Sequence, residues 1–326
     1  MQDNRMQAVP IDQVMNGAQV PIDYYLRLSA NKYILVAKAA TNVPLETLQK
    51  YKAKNVDRLY CLIEDYLRLL QGVIQGASVA VQVKSASSQA KMNVIKDAMS
   101  AVYNESSALG FNEQTYSHAK LVNHATLTFI STEPKFEELI AKLAGVRDSS
   151  GSGVKHAMMV SMIATMIGIA HDWTKPATLE KLALGGFLHD IGKTKLPLEV
   201  VMRPREQMSR DDKVIYESHA DVGHQILSAV KSVPEDVALI VLQHHELADG
   251  TGFPRAIRDL QISPLARVVA LANAFTEIVD HDRGEIGPTT AEKALETLEF
   301  KRHMHFNRDA MKALRKLVVG MNAKVA

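Results

Sequence analysis

The residues best equipped for chemistry in this chain are histidines and acids that stand side by side where apolar stretches end. All but two of the twelve histidines lie after residue 150. His-Asp occurs at 171–172, 189–190 and 281–282, and "LQHHELADGTGFP" sets His244, His245 and Glu246 directly before a glycine-rich turn. His156 lies upstream and His219 sits within "YESHADVGHQIL". Cys61 is the only cysteine, so a thiolate cluster and an intramolecular disulfide are both excluded. What remains is an N- and O-donor set, which suits iron, manganese, zinc or nickel; spacing alone does not choose among them.

Of the three His-Asp pairs, only the one in "LALGGFLHDIGKTKLP" runs from an apolar helix into Gly192 and Lys193. Adjacent side chains on a helix diverge by about 100°, so His189 and Asp190 converge only where the helix frays or kinks. A carboxylate has two oxygens and can bridge two cations, which makes Asp190 the natural bridge. His171-Asp172 reads instead as a helix-end cap, His281-Asp282 as a loop pair, His303 and His305 as part of an exposed basic loop, and His224 as a core or surface histidine. Glu246 either orients a histidine from behind or caps the loop.

Several helices must aim these groups at one point, and the second half of the chain supplies them. Start signals precede apolar-periodic runs at Thr178, Ser232-Val233-Pro234-Glu235, Ser263-Pro264, Thr289 with Glu292, and Asn307. The first part is different. "YYLRL" and "YILVAK" flank "SANK" as a hairpin, "PLETLQKYKAK" reads as a short helix and "RLYCLI" as a strand, and helical periodicity then runs over 64–110 and 113–145 with a polar stretch at "VKSASSQAKMN". "RDSSGSG" is a flexible joint. The expected architecture is therefore mainly α: an N-terminal α+β and helical regulatory or sensory domain over 1–147, and an all-helical bundle over 148–326.

Taken in order, "FLHDIGKTKLP", "SHADVGHQIL" and "HHELADGTGFP" resemble an HD-GYP domain, a subgroup of the HD phosphohydrolases, over residues 150 to 320. The resemblance implies a C-terminal HD-type helical bundle that hydrolyses cyclic di-GMP with hydroxide held between two divalent metals, iron foremost and manganese second. It implies metal ligands at His156, His189, Asp190, His219, His244 and His245, with Asn273 in the place of a family aspartate. Lys193 matches the lysine that offsets phosphoryl charge, and Asp190 and Lys193 together form the catalytic pair. Asp249, Gly252, Phe253 and Arg283 fall at substrate-binding positions, and Gly250 and Pro254 complete the signature loop.

Three departures bear on competence. Phe253 replaces the name-giving tyrosine but keeps the ring; Asn273 is neutral where the family carries charge; Thr276 replaces another acid. Ser152 stands where a third-metal glutamate is found in some members, so two metals are expected. These changes imply weak turnover, or a degenerate module that binds cyclic di-GMP or a diguanylate cyclase partner through the Gly-Phe-Pro loop.

Composition sets the outer limits. The 326 residues are 47% apolar and 23% charged, ordinary for a globular protein that needs no covalent staples. A net charge of +2 calls for no polyanion such as duplex nucleic acid. The N-terminus lacks signal-peptide features, and no apolar run reaches the ~18 residues of a membrane span, so a cytoplasmic location is expected.

Overall fold

A computed structural model describes the chain except for residues 1–4, 15–18, 133–135, 145, 147–152, 174, 281–289, 302–303 and 321–326. Most of the predicted joint at 147–153, Ser152, Thr289, the His281-Asp282 pair, Arg283 and His303 lie outside the described residues.

The N-terminal part holds β1 (Met6–Pro10), α1 (Ile11–Val14), β2 (Tyr24–Ser29), β3 (Lys32–Ala37), α2 (Leu45–Lys52) and β4 (Arg58–Leu62). The strands form one antiparallel sheet in the order β1-β4-β2-β3, with Val9 opposite Leu59 and Leu26 opposite Ile34. The hairpin and the third strand stand where the β-prone runs put them. β1 is the element that the sequence did not announce.

Three long helices follow: α3 (Ile63–Ala80), α4 (Ser88–Leu109) and α5 (Glu113–Thr132), then α6 (Phe136–Ala144). The polar stretch at 83–93 is only half a break. Ser87 caps α4, its hydroxyl accepting from the Ala90 N–H at 3.2 Å, and the remaining polar residues form the first turns of that helix.

The rest is helical, as expected: α7 (Val154–Ala170), α8 (Pro176–Leu188), α9 (Leu198–Val201), α10 (Arg210–Glu217), α11 (His219–Ser228), α12 (Glu235–Gln243), α13 (Pro264–Asp280), α14 (Ala291–Lys301) and α15 (Arg308–Val319). Helix α8 starts at Pro176 rather than after Thr178, because proline is favoured in a first turn where its missing N–H costs nothing. Before α14 it is the Thr290 hydroxyl that accepts a backbone N–H, from Lys293 at 3.3 Å.

Helix α7 is the axis. Met158, Met159, Met162 and Ile163 are fully buried, and α8, α13 and α15 pack around it. A helix apolar on every side can only be a core helix, and the pliant methionines fill the irregular space between its neighbours. The first half docks directly on this bundle. Helix α5 packs on α8, the Tyr103 hydroxyl donates to the Phe187 carbonyl at 2.8 Å, and the Asn123 amide donates to the Glu180 carbonyl at 3.1 Å. Buried residues from Val9 to Val318 form one contiguous core. No helix among the described residues is long and apolar enough to cross a membrane.

Candidate metal centre

Three histidines reach the centre by the same local device. His189 follows the last residue of α8, His244 follows the last residue of α12, and His219 lies two residues past the end of α10. Carbonyls in the last turn of a helix lack intrahelical partners. Each of these histidines uses one: His189 Nδ1 meets the Gly186 carbonyl at 2.8 Å, His219 Nδ1 the Tyr216 carbonyl at 2.6 Å, and His244 Nδ1 the Val241 carbonyl at 2.7 Å. A carbonyl only accepts, so Nδ1 carries the proton in all three and Nε2 presents a bare lone pair. The negative helix ends that orient the rings also favour a cation beyond them.

Those lone pairs converge on Asp190. Its Oδ2 is 3.3 Å from His189 Nε2, and its Oδ1 is 3.4 Å from His219 Nε2 and 3.8 Å from His244 Nε2. Two sets of donor atoms each draw within 4.8 Å of one another, Asp190 with His219, His244 and His245, and Asp190 with His156 and His189. The carboxylate shared by both sets is the one singled out as a bridge from sequence.

The donor chemistry fits a pair of divalent ions. His189 Nε2, His245 Nε2 and Asp190 Oδ1 are buried without a hydrogen-bond partner, although an orphaned buried polar atom costs roughly 1–3 kcal/mol. His219 Nε2 and His244 Nε2 stand 3.2 Å apart with both ring protons committed elsewhere. Two lone pairs so placed repel unless a cation or a proton lies between them.

Electrostatics keep the donors ready. Burial pushes His156 and His219 down to about 4 and holds His244 and His245 well below the ordinary imidazole value, so all four are neutral at pH 7. For Asp190, burial works against ionisation, but His189 and Lys193 outweigh it and hold the carboxyl well below the usual range. Burial likewise opposes the Lys193 charge, and the Asp190 carboxylate reverses that and raises it.

Close backbone approach shapes the site at two glycines. A side chain on Gly192 would collide with the His219 carbonyl, so the turn carrying Lys193 can lie against α11 only with glycine there. A side chain on Gly252 would strike the His245 carbonyl and the Leu247 N–H, and this contact lets Phe253 fold back over His245, their rings stacked 4.4 Å apart.

Other sequence-predicted residues are placed as follows. His156 Nε2 is 2.8 Å from Asn273 Oδ1, and the Asn273 amide lies 3.4 Å from Glu277 Oε1, so Asn273 engages a ligand nitrogen. Lys193 binds Asp190 at 2.7 Å and lies 4.9 Å over the Tyr216 ring. Buried Glu246 accepts from the Arg255 and Ile257 N–H groups at 2.7 and 3.1 Å, which makes it the clamp of the loop. Asp249 accepts from the Thr251 N–H and hydroxyl at 3.0 and 2.7 Å and shapes the turn. Thr276 bonds its own helix at the Ala272 carbonyl. His171 ends α7 beside Trp173, away from the centre.

A cavity of about 760 Å³ opens onto His244, His245, Phe253 and Asn273. Its lining includes four residues that the sequence did not single out, Arg205, Tyr216, Glu277 and Phe306, together with His305. The exposed-loop reading of His305 is thereby corrected: it is only partly exposed, lines the cavity, and its Nε2 stands 3.6 Å from Asp249. Tyr216 carried a faint signal, lying three residues before His219, the same spacing that links the other two histidines to their carbonyls. Neither Asp249 nor Lys193 is part of this lining.

Comparison with known proteins agrees with this geometry. The HD domain family matches residues 138–310. A cyclic di-GMP phosphodiesterase of Pseudomonas aeruginosa is 30% identical over 164 residues, 50% of this chain and 39% of the relative. A cyclic di-GMP phosphodiesterase response regulator of Xanthomonas campestris pv. campestris is 28% identical over 153 residues, 45% of this chain and 39% of the relative. The chain thus spans about two fifths of the length of these curated relatives. The fold of an HDG"Y"P protein from Bdellovibrio bacteriovorus superposes with a TM-score of 0.69 at 21% identity, covering 97% of this chain and 100% of that one. By its matched domain and its ordered donor set, the chain belongs to the HD domain family, as an HD-GYP member.

Proposed function

We propose that this protein is a metal-dependent phosphodiesterase that hydrolyses cyclic di-GMP slowly at a two-metal centre bridged by Asp190. The observation that carries this reading is the sharing of Asp190 by two donor sets, in which His189 Nε2, His245 Nε2 and Asp190 Oδ1 are buried without a hydrogen-bond partner. Bound there, two divalent ions, iron foremost and manganese second, supply Lewis acidity and an activated water. His219, His244 and His245 would hold one ion and His156 and His189 the other, and the Asn273 amide oxygen would be available to the second only if it parted from His156. Lys193 keeps Asp190 ionised and aimed. Phe253 walls the substrate space, and Gly252 and Asp249 set the loop that carries it; the sequence assigns Arg283 to the same task. Residues 148–326 carry the chemistry, and residues 1–147 form a regulatory domain seated on α7 and α8. The names of the relatives support cyclic di-GMP as the substrate.

One observation favours a second reading. The 2.8 Å contact between Asn273 and His156 occupies a ligand nitrogen with a neutral partner, as in a module that binds cyclic di-GMP, or a diguanylate cyclase through its Gly-Phe-Pro loop, without cleaving it. Elemental analysis of anaerobically purified protein, followed by chromatography of cyclic di-GMP incubated with that sample, separates the two. Two metals per chain with linear dinucleotide or GMP appearing establishes the enzyme. Two metals without product selects the binding module, and no metal refutes the centre.

A further inference from the structure

A cyclic dinucleotide carries two phosphates, and only one of them can lie at the metals while it is cleaved. The other must be held elsewhere in the cavity, whose volume of about 760 Å³ is within the range that encloses ligands of this size. Lys193 is not available for that task, because it is bound to Asp190 at 2.7 Å and is not part of the cavity lining. Among the described residues, Arg205 is the one lysine or arginine that lines the cavity.

Its placement suits the task. Arg205 follows Pro204, in the short turn between α9 and α10, and its guanidinium lies 5.2 Å from the centre of the Phe253 ring. Phe253 in turn stacks on His245 and lies edge-on to His219 at 6.0 Å. A continuous series of ring contacts therefore runs from the metal-facing histidines outward to this guanidinium. Arg205 Nη2 donates to Glu217 Oε1 at 2.6 Å, which fixes the head group and leaves other N–H donors of its fork for a ligand. Nearly half of its side chain is solvent-exposed, 47%, so an entering anion can reach it without displacing buried groups.

We propose that Arg205 is a substrate-binding residue that holds the uncleaved phosphate of a cyclic dinucleotide at the cavity mouth, with Phe253 as the surface beneath it. The proposal rests on the phosphodiesterase reading above and adds a specificity determinant to it. Arginine suits this task because its planar fork can take two phosphate oxygens at once and can also lie flat on an aromatic face. A diester with a single phosphate engages the metals alone and has no use for Arg205. The preference for a cyclic dinucleotide over a simple diester is accordingly encoded in this side chain.

The test uses metal-loaded full-length protein and two probes, cyclic di-GMP and bis(4-nitrophenyl) phosphate. Arg205→Met keeps an aliphatic stem on Phe253 and removes the charge. It should weaken cyclic di-GMP binding in equilibrium dialysis by about 10- to 100-fold, the range expected for a charge-assisted hydrogen bond, and the loss in turnover should fall on KM. The loss with bis(4-nitrophenyl) phosphate should be at least tenfold smaller. Arg205→Lys, which keeps charge without the fork, should fall between. Glu217→Gln, which loosens the guanidinium but keeps its charge, should weaken cyclic di-GMP binding by less than Arg205→Met; an equal defect in Glu217→Gln and Arg205→Met would reduce Arg205 to a structural partner of Glu217 and overturn the proposal. Equal binding by the original protein and Arg205→Met would overturn it too, while turnover of the simple diester leaves the metal centre standing. If the original protein neither binds cyclic di-GMP nor cleaves either probe, the phosphodiesterase reading fails and takes this proposal with it.

Discussion

Replacing Asp190 by asparagine and Lys193 by methionine, singly and together, tests the electrostatic heart of the site. The two charged atoms stand 2.7 Å apart, with side-chain exposures of only 16% and 22%. At an effective dielectric constant of about 20, Coulomb attraction at that separation is roughly 6 kcal/mol. Desolvation of both groups takes back a large part of it, and removing one partner of a buried pair usually costs about 3–5 kcal/mol. The single variants should not be equal. Without Lys193, Asp190 still faces the His189 and His219 rings at 3.3 and 3.4 Å; without Asp190, Lys193 is left with the Tyr216 ring. Asp190→Asn should therefore lose about 3–5 kcal/mol in urea denaturation of chelator-treated protein at pH 8, and Lys193→Met somewhat less. The double variant should lose less than the sum of the two by about 2–4 kcal/mol, since removing both partners leaves no orphaned charge. Metal content is the second readout: Asp190→Asn should lose both ions, while Lys193→Met should keep them. Additivity within about 0.5 kcal/mol, or two ions retained by Asp190→Asn, would refute the bridge and the pair together.

Other outcomes follow from single contacts. Asn273→Asp replaces a neutral oxygen 2.8 Å from His156 Nε2 with a charged one, and titration with manganese should show the weaker of two sites tightening by about 10- to 100-fold; an unchanged affinity would place Asn273 outside the coordination sphere. Phe253→Tyr adds one hydroxyl to a ring already stacked on His245, so cyclic di-GMP affinity should improve by no more than about fivefold, as one net hydrogen bond contributes roughly 1 kcal/mol. A gain above a hundredfold would show that ring packing alone does not define the pocket. In metal-free protein His219 is neutral when folded, pushed down to about 4 from an ordinary 6.5, and the unfolded chain takes up the proton first as pH falls. Its contribution is thus present in full above pH 6.5 and is lost between 6.5 and 4, by about 3 kcal/mol. A urea midpoint that does not move between pH 7 and pH 5 would contradict the burial of this ring.

The centre was legible in sequence because its donors are announced locally. Histidine directly after an apolar helix is a pattern in chain order, and the device behind it, Nδ1 donating to a carbonyl three residues back, needs nothing from distant residues. The hairpin was legible for a similar reason, as two runs of β-prone apolar residues flank a short polar turn. What could not be read depends on contacts between distant segments. Arg205 reaches the cavity by folding across to Phe253, 48 residues later, and nothing near "RPREQ" distinguishes it from any exposed arginine. The bond from His156 to Asn273 spans 117 residues. Strand β1 is five residues long and ends in proline, so its alternation is too brief to stand out until β4 pairs with it. Glu246 illustrates the middle case: the sequence placed it either behind a histidine or as the cap of the loop, and two backbone N–H groups of that loop take up its carboxylate.

The same contrast bears on what this protein can do. Donors fixed by helix ends are rigid, because each ring is tied to a carbonyl of the helix it terminates, and loss of one acidic ligand elsewhere does not loosen them. Asn273, by comparison, sits in the middle of α13 and affects only the charge at one end of the His156 side. A site built this way can lose metal affinity on one side while the set around His219, His244 and His245 stays organised. Turnover and binding therefore need not decline together: the half of the centre nearest Phe253 and the cavity is the half that Asn273 disturbs least, and cyclic di-GMP should remain bound under conditions where the second ion has left. Dialysis against a weak chelator, stopped when one ion per chain remains, tests this directly. Retained binding with lost hydrolysis is expected, and simultaneous loss of both would show that the two halves stand or fall as one.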